Sequence, residues 1–196
     1  MKLNLGCGSN HLTGWLNIDK YEQAHPDCVM DLEVLPWPLP DACADEVLLK
    51  HVLEHVGRDS DTFLGIMREL YRVCAPGAAV RILVPHPRHQ DFLQDPTHVR
   101  PIVPEMFLHW SLQTNREWQA KGLPGTPLAI YQRVDFRIVS VTLRLDALWQ
   151  RWLDEDPARR GEIDHVIRTH NNVVQEIEVV LRAEKPFDAA SLQAAP

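Results

Sequence analysis

Strands alternating with helices through the first half of the chain, then closed by two longer strands, predict a doubly wound α/β sheet. Three observations carry that expectation. Short apolar runs at 2–6 and 15–19 end in a glycine and an acid respectively, as strands do where they feed loops. One well-patterned helix occupies 60–74. Directly after it, "AVRILVP" (79–85) is a continuous apolar run, the pattern of a strand buried in a parallel sheet.

Taken in order, residues 2–6 form a first strand and "WLNID" (15–19) a second. "CVMDL" (28–32) offers a third. "PWPLP" (36–40) excludes regular structure, because proline has no amide donor and a fixed φ. "DEVLLK" (45–50) is the fourth strand and runs into "HVLEHV". For the helix, Asp59, Ser60 and Asp61 are N-cap candidates, and Phe63, Met67, Leu70 and Cys74 recur at helical spacing. "APG" (75–77) ends it. Residues 86–133 are rich in proline, histidine and aromatics and weakly periodic. A featureless loop of that length is uncommon unless it is a lid or a binding segment, so short helices are expected within a lid or substrate insertion. Two long strands, 134–145 and 173–185, flank a helical stretch at 147–154. Residues 1–185 are thus expected to form one domain, with an alanine-rich tail, 186–196, that frays.

The length of 196 residues suffices for one domain with a sizeable core, and 45% hydrophobic with 24% charged residues is ordinary for a soluble protein. A net charge of −7 disfavours bulk nucleic acid or an anionic membrane as partner. The four cysteines, Cys7, Cys28, Cys43 and Cys74, form no CxxC pair, which argues against a zinc knuckle or a thioredoxin-like site and fits a reducing compartment. No apolar run approaches the ~18–20 residues of a membrane span. "MKLNLGCG" enters a structural motif at once and leaves no room for a signal peptide, so a cytoplasmic protein is expected.

In "NLGCGSN" (4–10), Gly6 and Gly8 follow the first strand. Without a Cβ, glycine permits a tight turn and lets a ligand come against the main chain. Alone, such a pair is equally a structural turn. Asp19, ending the second strand, is placed to accept hydrogen bonds from both hydroxyls of a ribose, although a solvated strand-end carboxylate is the plainer alternative. Thirteen positions separate Gly6 from Asp19, against ~20 in dinucleotide folds. Little more than one helical turn fits between Gly8 and Trp15, so the helix N-terminus that a pyrophosphate needs is missing. A nucleoside without phosphates remains.

The stretches "LNLGCGSNHLTGWLNID", "DLEVLPWP", "ADEVLLKHVLEHV" and "ELYRVCAPGAAVRILVP", in this order and spacing, resemble the class I S-adenosylmethionine-dependent methyltransferases. More narrowly, they resemble small bacterial members with a shortened first crossover, as does "DPTHVRPIVPEMF". The resemblance spans residues 2–107, and the late strands extend it to 185. It implies a mostly parallel, Rossmann-like sheet of about seven strands with an antiparallel last strand. It also implies S-adenosylmethionine (SAM) as cofactor and S-adenosylhomocysteine as product. Gly6, Cys7 and Gly8 would pass beneath the methionine part, Asp19 would hold the ribose, Asp31 and Leu32 would meet the adenine, and Lys50 and His51 would lie near the reacting sulfur. Where the family has proline–glycine–glycine, this chain has Pro76, Gly77 and Ala78, which alters only a turn. Many relatives carry pocket-capping helices before the first strand, whereas this sequence starts at the strand. A cover is therefore expected from 86–133, from a homodimer or partner chain, or not at all.

Methyl transfer is an in-line displacement in which the protein mainly supplies alignment. An oxygen or nitrogen acceptor also needs a base of near-neutral pKa. "PHPRHQD" and "DPTH" follow the fifth strand and supply the candidates His86, His89, Asp91 and His98, with Arg88 or Arg100 for an acidic substrate. His51 and His55 flank Glu54 in an order that is not HExxH, so the simpler reading is a helical turn with one histidine inward. No tight ligand pair is evident among His86, His89, Asp91 and His98, and no metal is expected. Trp110 and Trp118 are candidates for substrate stacking. The expected activity is methyl transfer to a small-molecule or sugar-like acceptor. A SAM-binding module without catalysis of its own and a nucleotide-dependent oxidoreductase are the alternatives.

Overall fold

β1 (Lys2–Leu5) and β2 (Leu16–Asp19) pair in parallel, Leu3, Asn4 and Leu5 lying opposite Leu16, Asn17 and Ile18. This computed structural model describes residues 1–188. The crossover between the two strands holds no helix; side-chain amides organise it instead. Asn17 Oδ1 accepts from the Leu12 amide at 2.8 Å and from Asn4 Nδ2 at 3.0 Å, and Asn4 Nδ2 also donates to the Asn10 carbonyl at 2.8 Å. Both asparagines are buried, so these bonds satisfy polar groups that would otherwise be costly. The shortened crossover is thus built by a local polar network.

β3 (Cys28–Val29) is shorter than the expected 28–32. The Met30 amide still bonds to the Asp19 carbonyl, but the Asp31 carboxylate then accepts from the Glu33 amide at 2.9 Å and turns the chain away. β4 (Ala44–Lys50) leads to a 3-10 turn at Leu53–His55 and to α1 (Ser60–Val73). The Asp59 side chain caps α1, accepting from the Thr62 amide at 2.9 Å. The helix buries Phe63, Ile66, Met67 and Leu70. β5 (Cys74–Pro85) starts immediately at the helix end rather than at Ala79. Gly77, at φ +78°, sits in an irregularity where Ala44 pairs with Cys74 but Glu46 already pairs with Ala79.

After β5 come α2 (Gln90–Leu93), a 3-10 turn at Pro104–Trp110, α3 (Leu112–Ala120) and α4 (Leu128–Gln132). β6 (Phe136–Leu145), α5 (Ala147–Glu155), a 3-10 turn at Pro157–Glu162, α6 (Ile163–Thr169) and β7 (Val174–Ala183) complete the described chain. α6 has no counterpart among the sequence expectations. The tail assigned to fraying lies, from residue 189 on, outside the described residues.

The seven strands form one sheet in the order β3-β2-β1-β4-β5-β7-β6. β1 to β5 run parallel, and β7 is antiparallel to both of its neighbours, β5 and β6. This is the expected doubly wound order with an antiparallel last strand. On one face, Leu3, Leu5, Val47, Leu49, Val80, Ile82, Val84, Ile177, Val179 and Leu181 form a core with α1 and with Phe107 and Trp110 of the 104–110 turn. Each aliphatic side chain withdrawn from water there contributes about 1.5–3 kcal/mol. The other face carries the ion pairs Lys2–Glu46 (2.9 Å), Arg81–Glu178 (3.5 Å) and Arg144–Glu176 (3.1 Å). No helix among the described residues is long and apolar enough to cross a membrane.

Candidate active site

The site is built at the carboxyl ends of β1, β2 and β4, beside the point where strand order reverses, which is where open α/β sheets bind ligands. Gly6 and Gly8 both adopt left-handed backbone, at φ +66° and +49°. At Gly6 an added Cβ would lie 2.5 Å from Val52 Cγ2, whereas at Gly8 it would meet no protein atom within 4 Å. Asp19 ties this bend to the end of β2. Its Oδ2 accepts from the Gly8 amide at 2.8 Å and its Oδ1 from the Tyr21 amide at 2.9 Å. Each carboxylate oxygen keeps a lone pair for a further donor.

A cleft of about 440 Å³ opens here, lined by Gly6, Gly8, Asp19, Lys20, Tyr21, Met30, Asp31, Leu32, His51, Val52, His55, Val56 and Thr97. The three strand tips are thus adjacent, and no side chain fills the space between them. Of the residues expected at the cofactor, Gly6, Gly8, Asp19, Asp31, Leu32 and His51 line the cleft. Cys7 is buried beneath the bend with its amide on the Ile18 carbonyl, and burial, assisted by the Asp19 charge, pushes its thiol pKa up. Lys50 does not line the cleft. It lies in register with Leu83 and borders a depression on the opposite face together with Glu46 and Leu48. Strand alternation decides this, since residues 46, 48 and 50 share one side of β4.

At His51 the alternation breaks. Its backbone is left-handed, at φ 55°, and its amide bonds to the Leu83 carbonyl at 2.8 Å. Such a conformation is costly for a side chain larger than glycine and clusters at functional sites. The ring stands between two acids, with Nδ1 3.4 Å from Glu54 Oε1 and Nε2 3.0 Å from Glu176 Oε2. The first contact has the reach of an ion pair but is too loose for a hydrogen bond. The Glu54 carboxylate still holds the His51 pKa above its ordinary value, with Glu176 adding to it and burial opposing.

A second cavity, of about 730 Å³, adjoins the cleft and is lined by His51, Glu54, His55, Pro85, Asp91, Gln94, Asp95, Pro96, His98, Arg144, Gln175 and Glu176. His51 and His55 belong to both. Of the four residues singled out for catalysis, Asp91 and His98 wall this cavity; His86 and His89 do not. His89 is buried and caps α2, its Nδ1 accepting from the Asp91 amide at 3.1 Å. His86 Nδ1 accepts from the Arg88 amide at 3.1 Å, and burial lowers the pKa of its ring. Both rings are occupied in folding the loop. Arg88 is spent on carbonyls of α6, and Arg100 on the Gly57 carbonyl and the face of Phe63. Trp110 belongs to the core, and Trp118 packs edge-on against His109, so neither lines the two cavities.

Sequence reasoning gave no role to Glu176, Arg144 or Thr97, and weighed Glu54 only against a zinc-protease pattern. Glu54 is 1% exposed, and its carbonyl accepts from the Val99 and Arg100 amides at 2.9 and 3.2 Å, which brings the "DPTH" segment onto the 3-10 turn. The acids and histidines flanking "HVLEHV" were visible as residue types, but nothing local shows that a segment forty positions later encloses them.

The family model described as a methyltransferase domain matches residues 3–82, the stretch that carries β1 to β4, α1 and most of β5. No curated protein matches the sequence. Among solved structures, a SAM-dependent methyltransferase from Archaeoglobus fulgidus superposes with a TM-score of 0.57 at 17% identity, covering 92% of this chain and 85% of that one. A SAM-dependent methyltransferase from Methanosarcina mazei gives 0.51 at 14% identity, covering 93% and 92%. A SAM-dependent methyltransferase from Thermotoga maritima, described as a possible histamine N-methyltransferase, gives 0.51 at 12% identity, covering 94% and 81%. At these identities the superpositions establish the fold, and the match to the methyltransferase-domain model is confined to residues 3–82. The chain thus has the fold of SAM-dependent methyltransferases, and its residues 3–82 are similar in sequence to a methyltransferase domain.

Proposed function

We propose that the protein transfers the methyl group of SAM to a hydroxyl of a small, polar, sugar-like acceptor. One observation carries this reading: the cofactor cleft and a polar cavity meet at His51 and His55. The cavity wall offers Glu54, Asp91, Asp95, Gln94, Gln175, Glu176 and Arg144, a dense set of hydrogen-bonding groups suited to a polyol.

In this reading the Gly6–Gly8 bend lets the methionine part lie against the main chain. Asp19 accepts from the ribose hydroxyls, and Asp31 accepts from the adenine amine. SAM held in the cleft would supply the activated methyl group, and His51, at the junction of the two cavities, would take the proton of the acceptor hydroxyl. Glu54 and Glu176 hold that ring in place and favour the imidazolium that results.

The net charge of −7 supports a soluble acceptor rather than bulk nucleic acid or membrane, and four unpaired thiols support a cytoplasmic setting. Tyr21, exposed by 61% at the cleft, supplies surface for a second copy or a partner chain to cover.

The test combines calorimetry with S-adenosylhomocysteine and mass spectrometry of a panel of sugars and sugar nucleotides incubated with SAM. Asp19→Asn is expected to weaken S-adenosylhomocysteine at least ~10-fold, since a carboxylate-assisted bond is lost. His51→Gln is expected to keep that affinity within a few-fold and to lower turnover ~10²–10⁴-fold. Full turnover in His51→Gln would remove the base assignment. NAD binding without a response to S-adenosylhomocysteine would overturn the reading altogether.

A further inference from the structure

The least explained group in the molecule is the Glu54 carboxylate. It is 1% exposed, and neither of its oxygens has a hydrogen-bond partner among the described residues. A buried carboxylate with no hydrogen bond, its contact with the His51 ring being a loose 3.4 Å, is a costly arrangement. Two further histidines stand beside it. Glu54, His55 and His98 each offer a donor atom, and these atoms all lie within 4.8 Å of one another.

The hydrogen bonds around the two rings fix which nitrogen each leaves free. His98 Nδ1 lies 2.8 Å from the Phe92 carbonyl, which can only accept, so Nδ1 carries a proton. Thr97 Oγ1 lies 2.6 Å from Asp95 Oδ1, and the Thr97 amide 2.8 Å from the same oxygen. The hydroxyl proton therefore points at Asp95, and the same oxygen must accept from His55 Nδ1, 3.0 Å away. With Nδ1 so engaged in each ring, Nε2 is the nitrogen left to meet a cation; that of His98 lies 3.8 Å from Asp95 Oδ2. A ring nitrogen anchored to a carbonyl or a hydroxyl, with the other free, is how proteins orient metal-binding histidines. Phe92 stacks on the His98 ring, with centroids 5.1 Å apart, and holds it further.

We propose that Glu54, His55 and His98 bind a divalent transition-metal cation of the Zn²⁺ or Mn²⁺ class. Two imidazoles and one carboxylate suit such borderline ions better than Ca²⁺ or Mg²⁺, which favour all-oxygen sets. Donors at ~2.1 Å from Zn²⁺ stand at most about 4 Å apart, so small side-chain rotations complete the sphere. The sequence expectation of no metal rested on His86, His89, Asp91 and His98; the fold pairs His98 with a different acid and a different histidine. Three protein ligands leave coordination positions open, and all three residues line the acceptor cavity. The ion would there bind acceptor oxygens beside His51, a role that rests on the methyltransferase reading, whereas metal binding itself does not.

The test uses tag-free, full-length protein stripped with a chelator and titrated with Co²⁺ alone, read by visible absorption, then with Zn²⁺ by calorimetry. One equivalent of Co²⁺ is expected to give ligand-field bands that Zn²⁺ abolishes. Glu54→Gln, His55→Gln and His98→Gln should each weaken the cation ~10–100-fold. Circular dichroism and thermal melts, measured on the same samples, report that each variant is folded. His55→Gln, at the less enclosed position, serves if Glu54→Gln does not fold. Absence of bands and heat in the wild type, or unchanged affinity in the folded variants, overturns the proposal. Binding of S-adenosylhomocysteine without metal would sink this inference alone; binding of metal without S-adenosylhomocysteine would sink only the acceptor role.

Discussion

Two glycines two residues apart serve the same bend by different physics. Both have left-handed backbone, which costs an L-residue about 1–2 kcal/mol. Gly6 also faces Val52, whose Cγ2 would lie 2.5 Å from a new Cβ, so overpacking adds ~1–3 kcal/mol. Gly8 faces open space in the cleft wall. In urea denaturation, Gly6→Ala should lose ~2–5 kcal/mol and Gly8→Ala only ~1–2 kcal/mol. Gly8→Ala should nevertheless bind S-adenosylhomocysteine poorly, because its methyl group occupies the cofactor's side of the bend. Equal stability losses would show that the Val52 contact is not what makes Gly6 a glycine. The glycines and Asp19 were legible because their roles follow from local backbone geometry at strand ends. His51 was legible as a position but not as an orientation, since one left-handed residue sends its ring to the cleft while Lys50 keeps to the opposite face.

The segment 36–40 has no secondary structure of its own, and α1 supplies its hydrogen bonds. Glu69 Oε2 accepts from the Trp37 amide at 2.7 Å. Arg72 donates to the Leu39 carbonyl at 2.7 Å and to the Trp37 carbonyl at 3.0 Å, while pairing with Glu69 at 2.7 Å. The prolines excluded strand and helix correctly, but the donors come from more than thirty positions away, beyond any local pattern. The Arg72 guanidinium holds the Glu69 pKa below its ordinary value of 4.5. A depressed carboxylate pKa stabilises the fold above the unfolded value, and that stability is lost as pH falls through the folded one. Glu69→Gln should therefore cost ~2 kcal/mol at pH 7, and the gap to wild type should close as pH drops below 4.5. Thermal melts between pH 7 and pH 3 measure it; a gap independent of pH would assign the cost to packing rather than to the ion pair. Element boundaries moved in the same spirit, β3 stopping early because the Asp31 carboxylate captures the next turn.

At the scale of the molecule, strand order and the antiparallel β7 came from the alternation of elements and from the family resemblance, whereas the two cavities came only with tertiary contacts. The cofactor cleft joins parts that the chain separates widely: the β1–β3 strip, the 3-10 turn at Leu53–His55 and Thr97. A ligand seated there bridges them, and only the folded state offers that seat. At 100-fold excess over its Kd it should stabilise by about 2.7 kcal/mol. For a chain of this size each kcal/mol moves Tm by about 2–4 °C, so a rise of ~5–11 °C is expected with S-adenosylhomocysteine. Hydrogen exchange should slow at 6–8, 19–21, 30–32, 51–56 and 97 together, because one body of ligand touches all of them. The sheet face bearing Glu46, Arg81 and Glu178 should not respond, being on the far side of the strands. Protection confined to the β1–β3 strip would mean that the ligand sits clear of His51 and His55. The acceptor cavity would then have no shared wall with the cofactor, and methyl transfer across that junction would lose its geometry.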